Sequence, residues 1–361
     1  MKKRILFIIH NRRDRSPGQR FRFEQYTSFL EENGFECVLS PLLNEKDDKI
    51  FYGKGNIIKK ILIVFKGWFL RKSDLNRAEE FDIVFIFREA FFTGSYFFEK
   101  QFKKKKTKLV FDFDDAIWID NVSNSNKAFA FLKDASKTSQ IIKLCDLVFA
   151  GNSYLKDYAL QFNNNVEIIP TTIDTIEYQK VHVPTSEKVV IGWSGSITTI
   201  QHFEYALSVL KKLKAKYKDT IEIKVIGDAN YANAELGIKG LGWNKQTELY
   251  DLSSFDIGIM PLPDDEWANG KCGLKGLQYM ALEIPTIMSP VGVNTEIIQD
   301  GKNGFLASSE EEWLTRLSLL IESKELREQV GKAGRNTVVT KYSVEANKDK
   351  YLDLFNQLLT K

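Results

Sequence analysis

The chain has 361 residues, 43% of them hydrophobic and 27% charged, with a net charge of +3. That length is too great for one ordinary core and fits two domains, and so small a net charge argues against a nucleic-acid partner. Three scattered cysteines and three scattered histidines supply neither a disulfide framework nor a zinc or histidine-rich metal site, and they fit a reducing cytosol.

The opening MKKRILFIIHNRRDRS begins with basic residues, but its apolar run is too short for the core of a signal peptide and reads as a first strand over 4–10. A helical pattern follows over 20–34, and further strands are expected at 35–41, 81–89, 108–115, 145–152 and 166–171. Residues 173–187 are polar and without clear periodicity, which marks a linker between a domain at 1–172 and another at 188–341. The second series has a strand and turn at 188–195, a helix through 203–217, strands at 221–228, 255–263 and 284–290, and a short edge strand at 303–307. Val-, Ile- and Phe-rich strands separated by helices indicate parallel sheets covered on both faces. The fold class is therefore α/β, with two Rossmann-like doubly wound domains whose ligands belong at the carboxyl ends of the strands. Two such domains facing one another would form a cleft.

Between the early strands, GNIIKKILIVFKGWFLRK (55–72) mixes large apolar residues with Lys59, Lys60, Lys66, Arg71 and Lys72. This fits a basic amphipathic helix lying on a membrane surface, and it also fits an ordinary helix with one buried face. The lysine run at 103–108 either adds attraction to anionic lipid or is a solvated loop. No apolar stretch reaches the ~18 residues of a spanning helix.

Four stretches carry candidate chemistry. IGWSGSITT (191–199) sets Gly195 and Ser196 between a strand and a helix, as a phosphate cradle would, although a serine-capped turn has the same form. NGKCGLKGLQYMA (269–281) places Lys271 before a helix start and Lys275 in its first turn. Cations are unfavourable there unless an anion is bound, and a diphosphate would receive both ammonium groups, the helix N–H groups and the helix dipole. Lys275 and Gln278 are neighbours on that helix surface. VFDFDDAIW (110–118) gathers Asp112, Asp114 and Asp115 at a strand end. One of these could act as a base or orient a sugar hydroxyl, the pair Asp112/Asp114 could hold a divalent metal, or they could cap a helix. HNRRDRSPGQRFRFEQ (10–25) surrounds Gly18 with Arg12, Arg13, Arg15, Arg20 and Arg22, which suit phosphate or carboxylate and also suit plain surface charge. Arg88 ends its own strand nearby.

Taken together, these stretches resemble the group 1 glycosyltransferases, family 4 of the sugar-nucleotide-dependent enzymes. The resemblance covers nearly the whole chain and is most specific over 256–306, with support from VFDFDDAIW, AGNSYL and IIPTTID. It implies the GT-B fold, with two Rossmann-like domains across a cleft and a last helix (342–361) that returns to the first domain. It also implies retaining transfer of a sugar from a nucleoside diphosphate sugar to a saccharide or lipid-linked acceptor, in cell-surface polysaccharide or glycan assembly. No cofactor and no metal are expected, because basic side chains and helix dipoles neutralise the leaving diphosphate. The expected place is the cytoplasm, including the inner face of the cytoplasmic membrane. The donor is expected on Gly195, Ser196, Lys271, Gly273, Lys275 and Gln278, the acceptor on Gly18, Arg20 and Arg88, and catalysis at Asp114 and Asp115. The chain departs from the family where relatives carry two glutamates seven residues apart: here those positions are Gly270 and Gln278. Asp264, Asp265 and Glu266 are the nearby alternatives for hydroxyl recognition. A sugar-nucleotide epimerase and a catalytically weak nucleotide-sugar-binding protein are the rival functions.

Overall fold

The computed structural model describes residues 2–53, 55–119, 134, 136–184 and 186–360. Position 185 of the expected linker lies outside them. The chain divides into two units, one of residues 1–171 and 347–361 and one of residues 172–346.

In the first unit, β1 (Lys3–Ile9), β2 (Phe35–Pro41), β3 (Ile83–Phe87), β4 (Lys108–Phe113), β5 (Leu147–Ala150) and β6 (Val166–Ile168) form one sheet in the order β2-β1-β3-β4-β5-β6. Every neighbouring pair is parallel. Ile5 through Ile9 and Ile83 through Ile86 are fully buried, which is why these strands read as continuous apolar runs rather than alternating ones. The chain steps from β1 to β2, then returns to the other side of β1 for β3. That reversal creates a switch point beyond the carboxyl ends of β1 and β3, the usual ligand position in such sheets.

Helices complete this unit. Tyr351 and Phe355 of the C-terminal helix Val344–Thr360 pack on Phe35, Phe85 and Phe149, and Tyr351 stacks on Tyr26 at 4.5 Å. The long helix Ile57–Asn76 is pinned by Arg71, whose guanidinium donates to the carbonyls of Ala90 (2.7 Å) and Ile9 (2.7 Å) and to Asp74 (2.9 Å). Burial lowers its pKa to about 10. Arg71 therefore belongs to the core, not to the exposed basic residues with which the sequence groups it. The helix expected over 20–34 is broken into Pro17–Arg20, a tight turn at Glu24–Tyr26, and Thr27–Glu32. Phe21, Arg22, Phe23, Glu24 and Tyr26 are all buried, and so many near-consecutive side chains cannot share one face of a regular helix.

The second unit has a five-stranded sheet of β7 (Val189–Ser194), β8 (Ile221–Ile226), β11 (Ile257–Met260), β12 (Thr286–Met288) and β13 (Phe305–Leu306). Its order is β13-β12-β11-β7-β8, all parallel, so its switch point lies between β7 and β11. A small antiparallel hairpin, β9 (Ala232–Asn233) and β10 (Ile238–Lys239), was not apparent from the sequence because each strand has only two residues. The segment expected as a linker packs within this unit: Tyr178 is buried and its hydroxyl donates to Glu248 at 2.7 Å. The helix Leu274–Ala281 lies close on β11, with the Tyr279 ring where a side chain on Gly258 would stand; a Cβ there would come within 2.4 Å of it. Gly258→Ala should lower stability by ~1–3 kcal/mol, read as a lower urea midpoint; an unchanged midpoint would show that the helix adjusts freely.

Candidate active site

At the switch point of the second unit, β7 ends at Ser194 and the chain turns through Gly195 and Ser196. The backbone N–H of Gly195 donates to the Ile226 carbonyl (2.9 Å), and the N–H of Ser196 donates to the Thr199 hydroxyl (2.9 Å). A Cβ on Gly195 would meet the Trp193 ring at 2.2 Å, so only glycine fits between this ring and the turn. The helix Leu274–Ala281 approaches the same place. Tyr279 accepts from the Ser194 N–H (2.7 Å) and its hydroxyl also pairs with the Ser194 hydroxyl (2.8 Å). The Lys275 ammonium lies 5.3 Å from the centre of the Trp193 ring. Trp193 thus has Gly195 and Lys275 both against it, and two stretches far apart in sequence share one corner.

The helix begins at Gly273, whose φ of +70° is left-handed. An L-residue would be strained there, and a Cβ would also stand 2.4 Å from Ile297. Glycine in that position has no side chain with which to cap the helix, and a helix N-terminus carries positive partial charge that favours an anion. Lys271, in the preceding loop, rests over the Trp267 ring at 4.8 Å. Lys271 and Lys275 are both half-buried, each with its ammonium over an aromatic ring.

Gln278 occupies a more confined place than the sequence implies. It is buried, and its amide nitrogen donates to Tyr178 (3.1 Å) and Glu248 (3.1 Å). Glu248 accepts from Trp243 as well (3.0 Å). Trp243 is thereby tied to this network. Asp265 caps the short helix Glu266–Asn269 by accepting from the Ala268 N–H (2.7 Å), and Asp264, Asp265 and Glu266 are all exposed.

In the first unit the structure brings Gly18, Arg88, Asp114 and Asp115 together beyond β3 and β4. Arg88 donates to Asp114 and to Asp115, each at 2.6 Å. A Cβ on Gly18 would lie 3.0 Å from Asp114 and 3.5 Å from Arg88. Burial alone would lower the pKa of Arg88; Asp114 and Asp115 outweigh it and raise it. Arg88 adopts a left-handed φ of +62°, a cost of order 1–3 kcal/mol that such sites commonly carry. Asp112 is separated from its two neighbours: it faces Arg22, and both are fully buried. Arg22 also donates to the Ile169 carbonyl.

The arginine cluster is likewise divided. Arg12 and Arg15 both bind Asp48, at 2.8 and 2.7 Å, and Arg13 binds Thr27. Arg20 is buried, with its guanidinium 4.9 Å from the Phe21 ring. Sequence reasoning overlooked Trp193, Tyr178, Glu248 and Tyr279 because their partners lie tens of residues away. It also passed over His10, which directly follows β1. The His10 ring sits 4.9 Å from Phe92 and its Nε2 is 3.8 Å from Glu89, which also pairs with Lys137.

Two α/β units with parallel sheets, together with the solved structures they resemble, give the chain a fold of GT-B type. Residues 174–337 match the family model described as glycosyl transferases group 1. The second unit is a group 1 glycosyltransferase domain, and the chain is a glycosyltransferase. An uncharacterized glycosyltransferase of Methanocaldococcus jannaschii is 23% identical over 304 residues, covering 78% of this chain and 76% of the relative. Among solved structures, a glycosyltransferase from Rickettsia africae superposes with a TM-score of 0.68 at 15% identity, covering 99% of both chains. Sucrose-phosphate synthase from Thermosynechococcus elongatus gives 0.72 at 13% identity, covering 99% of this chain and all of that one. Anabaena HepE, solved with UDP and glucose, gives 0.67 at 12% identity, covering 98% of this chain and all of that one. At these identities the three structures establish the fold.

Burial lowers the His10 pKa to about 4 against the attraction of Glu89, and Arg71, Lys137 and Arg88 push it the same way. A depressed histidine favours folding above its ordinary pKa, and that contribution is lost as pH falls through the folded value. The His10 imidazole should therefore remain neutral in an NMR titration from pH 7 down to about 4; titration near 6.5 would show an open, solvated ring.

Proposed function

We propose that the chain is a retaining glycosyltransferase of family 4 that uses a nucleoside diphosphate sugar and needs no metal. The observation that carries this reading is the meeting of Lys275, the Gly195–Ser196 turn and the glycine-started helix at one corner of the second unit. A diphosphate seated there would receive Lys275, Lys271, the N–H groups following Gly273 and the hydroxyl of Ser196. These groups stabilise the charge that develops on the leaving diphosphate. HepE was solved with UDP and with UDP-glucose, so a uridine nucleotide is the first donor to try here.

Gln278 then contributes by its place in the wall more than by a free amide. Its nitrogen is held by Tyr178 and Glu248, and the Glu248 carboxylate stands beside it as a further acceptor for hydroxyl groups. Gly270 lacks the side chain that relatives direct at the sugar. Asp264, Asp265 and Glu266 are the exposed carboxylates closest in sequence that could replace it.

The acceptor belongs to the first unit. Gly18 leaves room beside Asp114, Arg88 holds Asp114 and Asp115 in fixed positions, and a carboxylate there can orient and deprotonate an acceptor hydroxyl. Arg20 lies on the same turn as Gly18. The acceptor class is a saccharide or a lipid-linked saccharide, in cell-surface glycan assembly on the cytoplasmic side of the membrane.

Two measurements test this reading. Lys275→Ala should weaken UDP binding about tenfold to a hundredfold, the worth of one charged hydrogen bond, and leave uridine binding unchanged in calorimetry. Equal losses for both would remove the diphosphate from Lys275. Transfer should persist in excess chelator, with the anomeric configuration of the donor retained in the product by NMR. Loss of transfer reversed by magnesium would contradict the metal-free mechanism, and an inverted product would contradict retention.

A further inference from the structure

The helix Ile57–Asn76 has two apolar faces, and only one is covered. Ile63, Gly67, Arg71, Asp74 and Leu75 face the core. On the opposite side Ile58, Ile61, Leu62, Phe65 and Phe69 stand at i, i+3, i+4, i+7 and i+11, which makes a single stripe. Ile58 is 76% exposed, Leu62 61%, Phe65 59% and Phe69 66%. Five large apolar side chains in one exposed row are unusual for a surface that meets only water.

The charged residues of the helix itself along the stripe have one sign. Residues 57–73 contain Lys59, Lys60, Lys66, Arg71 and Lys72 and no aspartate or glutamate. Arg71 is buried with Asp74, Lys60 donates to the Gly53 carbonyl, and Lys66 pairs with Asp47 of the neighbouring helix. Lys59 and Lys72 are exposed, one toward each end of the row. At one side Trp68 stacks on Phe97, itself 40% exposed, at 5.5 Å. Apolar side chains rimmed by lysine and flanked by aromatics are what a helix needs to lie in the interface of a bilayer.

We propose that this face of the first unit docks on a membrane surface bearing anionic phospholipid, with the helix lying in the plane of the interface. From Ile58 to Phe69 the stripe is about 17 Å long, well short of the ~30 Å of a hydrocarbon core. Among the described residues no helix is long and apolar enough to cross a membrane. The apolar row enters the boundary of the acyl chains while Lys59 and Lys72 stay among the phosphates. A second copy of the chain fits less well. In a two-fold contact the patch meets itself, so its lysine rim would face the same rim, whereas an anionic surface is complementary to it. This inference rests on the helix alone and stands or falls separately from the assignment of the donor site.

The experiment is co-sedimentation of the full chain with vesicles of phosphatidylcholine alone and of phosphatidylcholine with phosphatidylglycerol. Binding to the anionic vesicles should be about tenfold tighter or more, and should weaken as salt is raised. Phe65→Ser with Phe69→Ser should reduce it at least about tenfold, at an unchanged melting temperature because both side chains are exposed. Lys59→Glu with Lys72→Glu should bring anionic binding down to the neutral level. Absence of the wild-type chain from both pellets would overturn the proposal, as would equal binding by wild type and both variants. A concentration-dependent dimer that the phenylalanine variant abolishes, without any vesicle binding, would assign the stripe to a second copy instead.

Discussion

Tyr279 joins two parts of the second unit that are 85 residues apart in the chain. Its hydroxyl takes the last N–H of β7 at Ser194 and its ring fills the space left by Gly258 on β11. The helix Leu274–Ala281 is thereby set across the switch point of the sheet, with its start beside the Gly195 turn. Burial pushes the Tyr279 phenol well above its ordinary range, against the lowering effect of its Ser194 bonds, so it stays neutral and keeps its donor. Everything attributed to this corner depends on that placement. Lys275 reaches Trp193 only because the helix is held there, and Trp193 meets Gly195 only because that turn lacks a side chain.

The first unit follows a different principle, in which buried and half-buried charges are partitioned among arginines. Three aspartates close together would raise one another's pKa unless cations intervene. Here Arg22 faces Asp112 from within the core, while Arg88 binds Asp114 and Asp115 at the edge. Burial raises the Asp112 pKa even so, with Arg22 opposing it. Breaking such a pair by removing one partner is far costlier than exchanging the whole pair for apolar residues. The inner pair therefore fixes the structure, and the outer trio, beside Gly18, is the group proposed for acceptor chemistry. The left-handed backbone of Arg88 supports the same division, because strain of this kind persists where the surroundings hold it in place.

The strands were the most legible part of the sequence. Ile5–Ile9, Ile83–Phe87 and 190–194 are buried on both faces, so their apolar runs have no alternative reading in a chain this long. The helices were less so. Near-consecutive buried side chains at Phe21–Tyr26 break a pattern that looks continuous on paper, and Arg71 looks like its exposed lysine neighbours until the carbonyls of Ile9 and Ala90 are seen around it. At the candidate site, strand ends and helix starts marked Gly195, Lys275, Gly18, Arg88 and Asp114 one by one, and the resemblance to the group 1 glycosyltransferases grouped them. The confinement of Gln278 was not legible, because Tyr178 and Glu248 reach it from 100 and 30 residues away. Local spacing reports faces and ends of elements. It does not report which distant side chain will occupy the space opposite.

The central claim is that one anion unites Lys275, the Gly195–Ser196 turn and the helix that starts at Gly273. A crystal structure with UDP bound tests it most directly. The account predicts the diphosphate within hydrogen-bonding distance of the Lys275 ammonium and of backbone N–H groups at the start of the helix Leu274–Ala281. A diphosphate held elsewhere, with Lys275 still lying over Trp193, would contradict it.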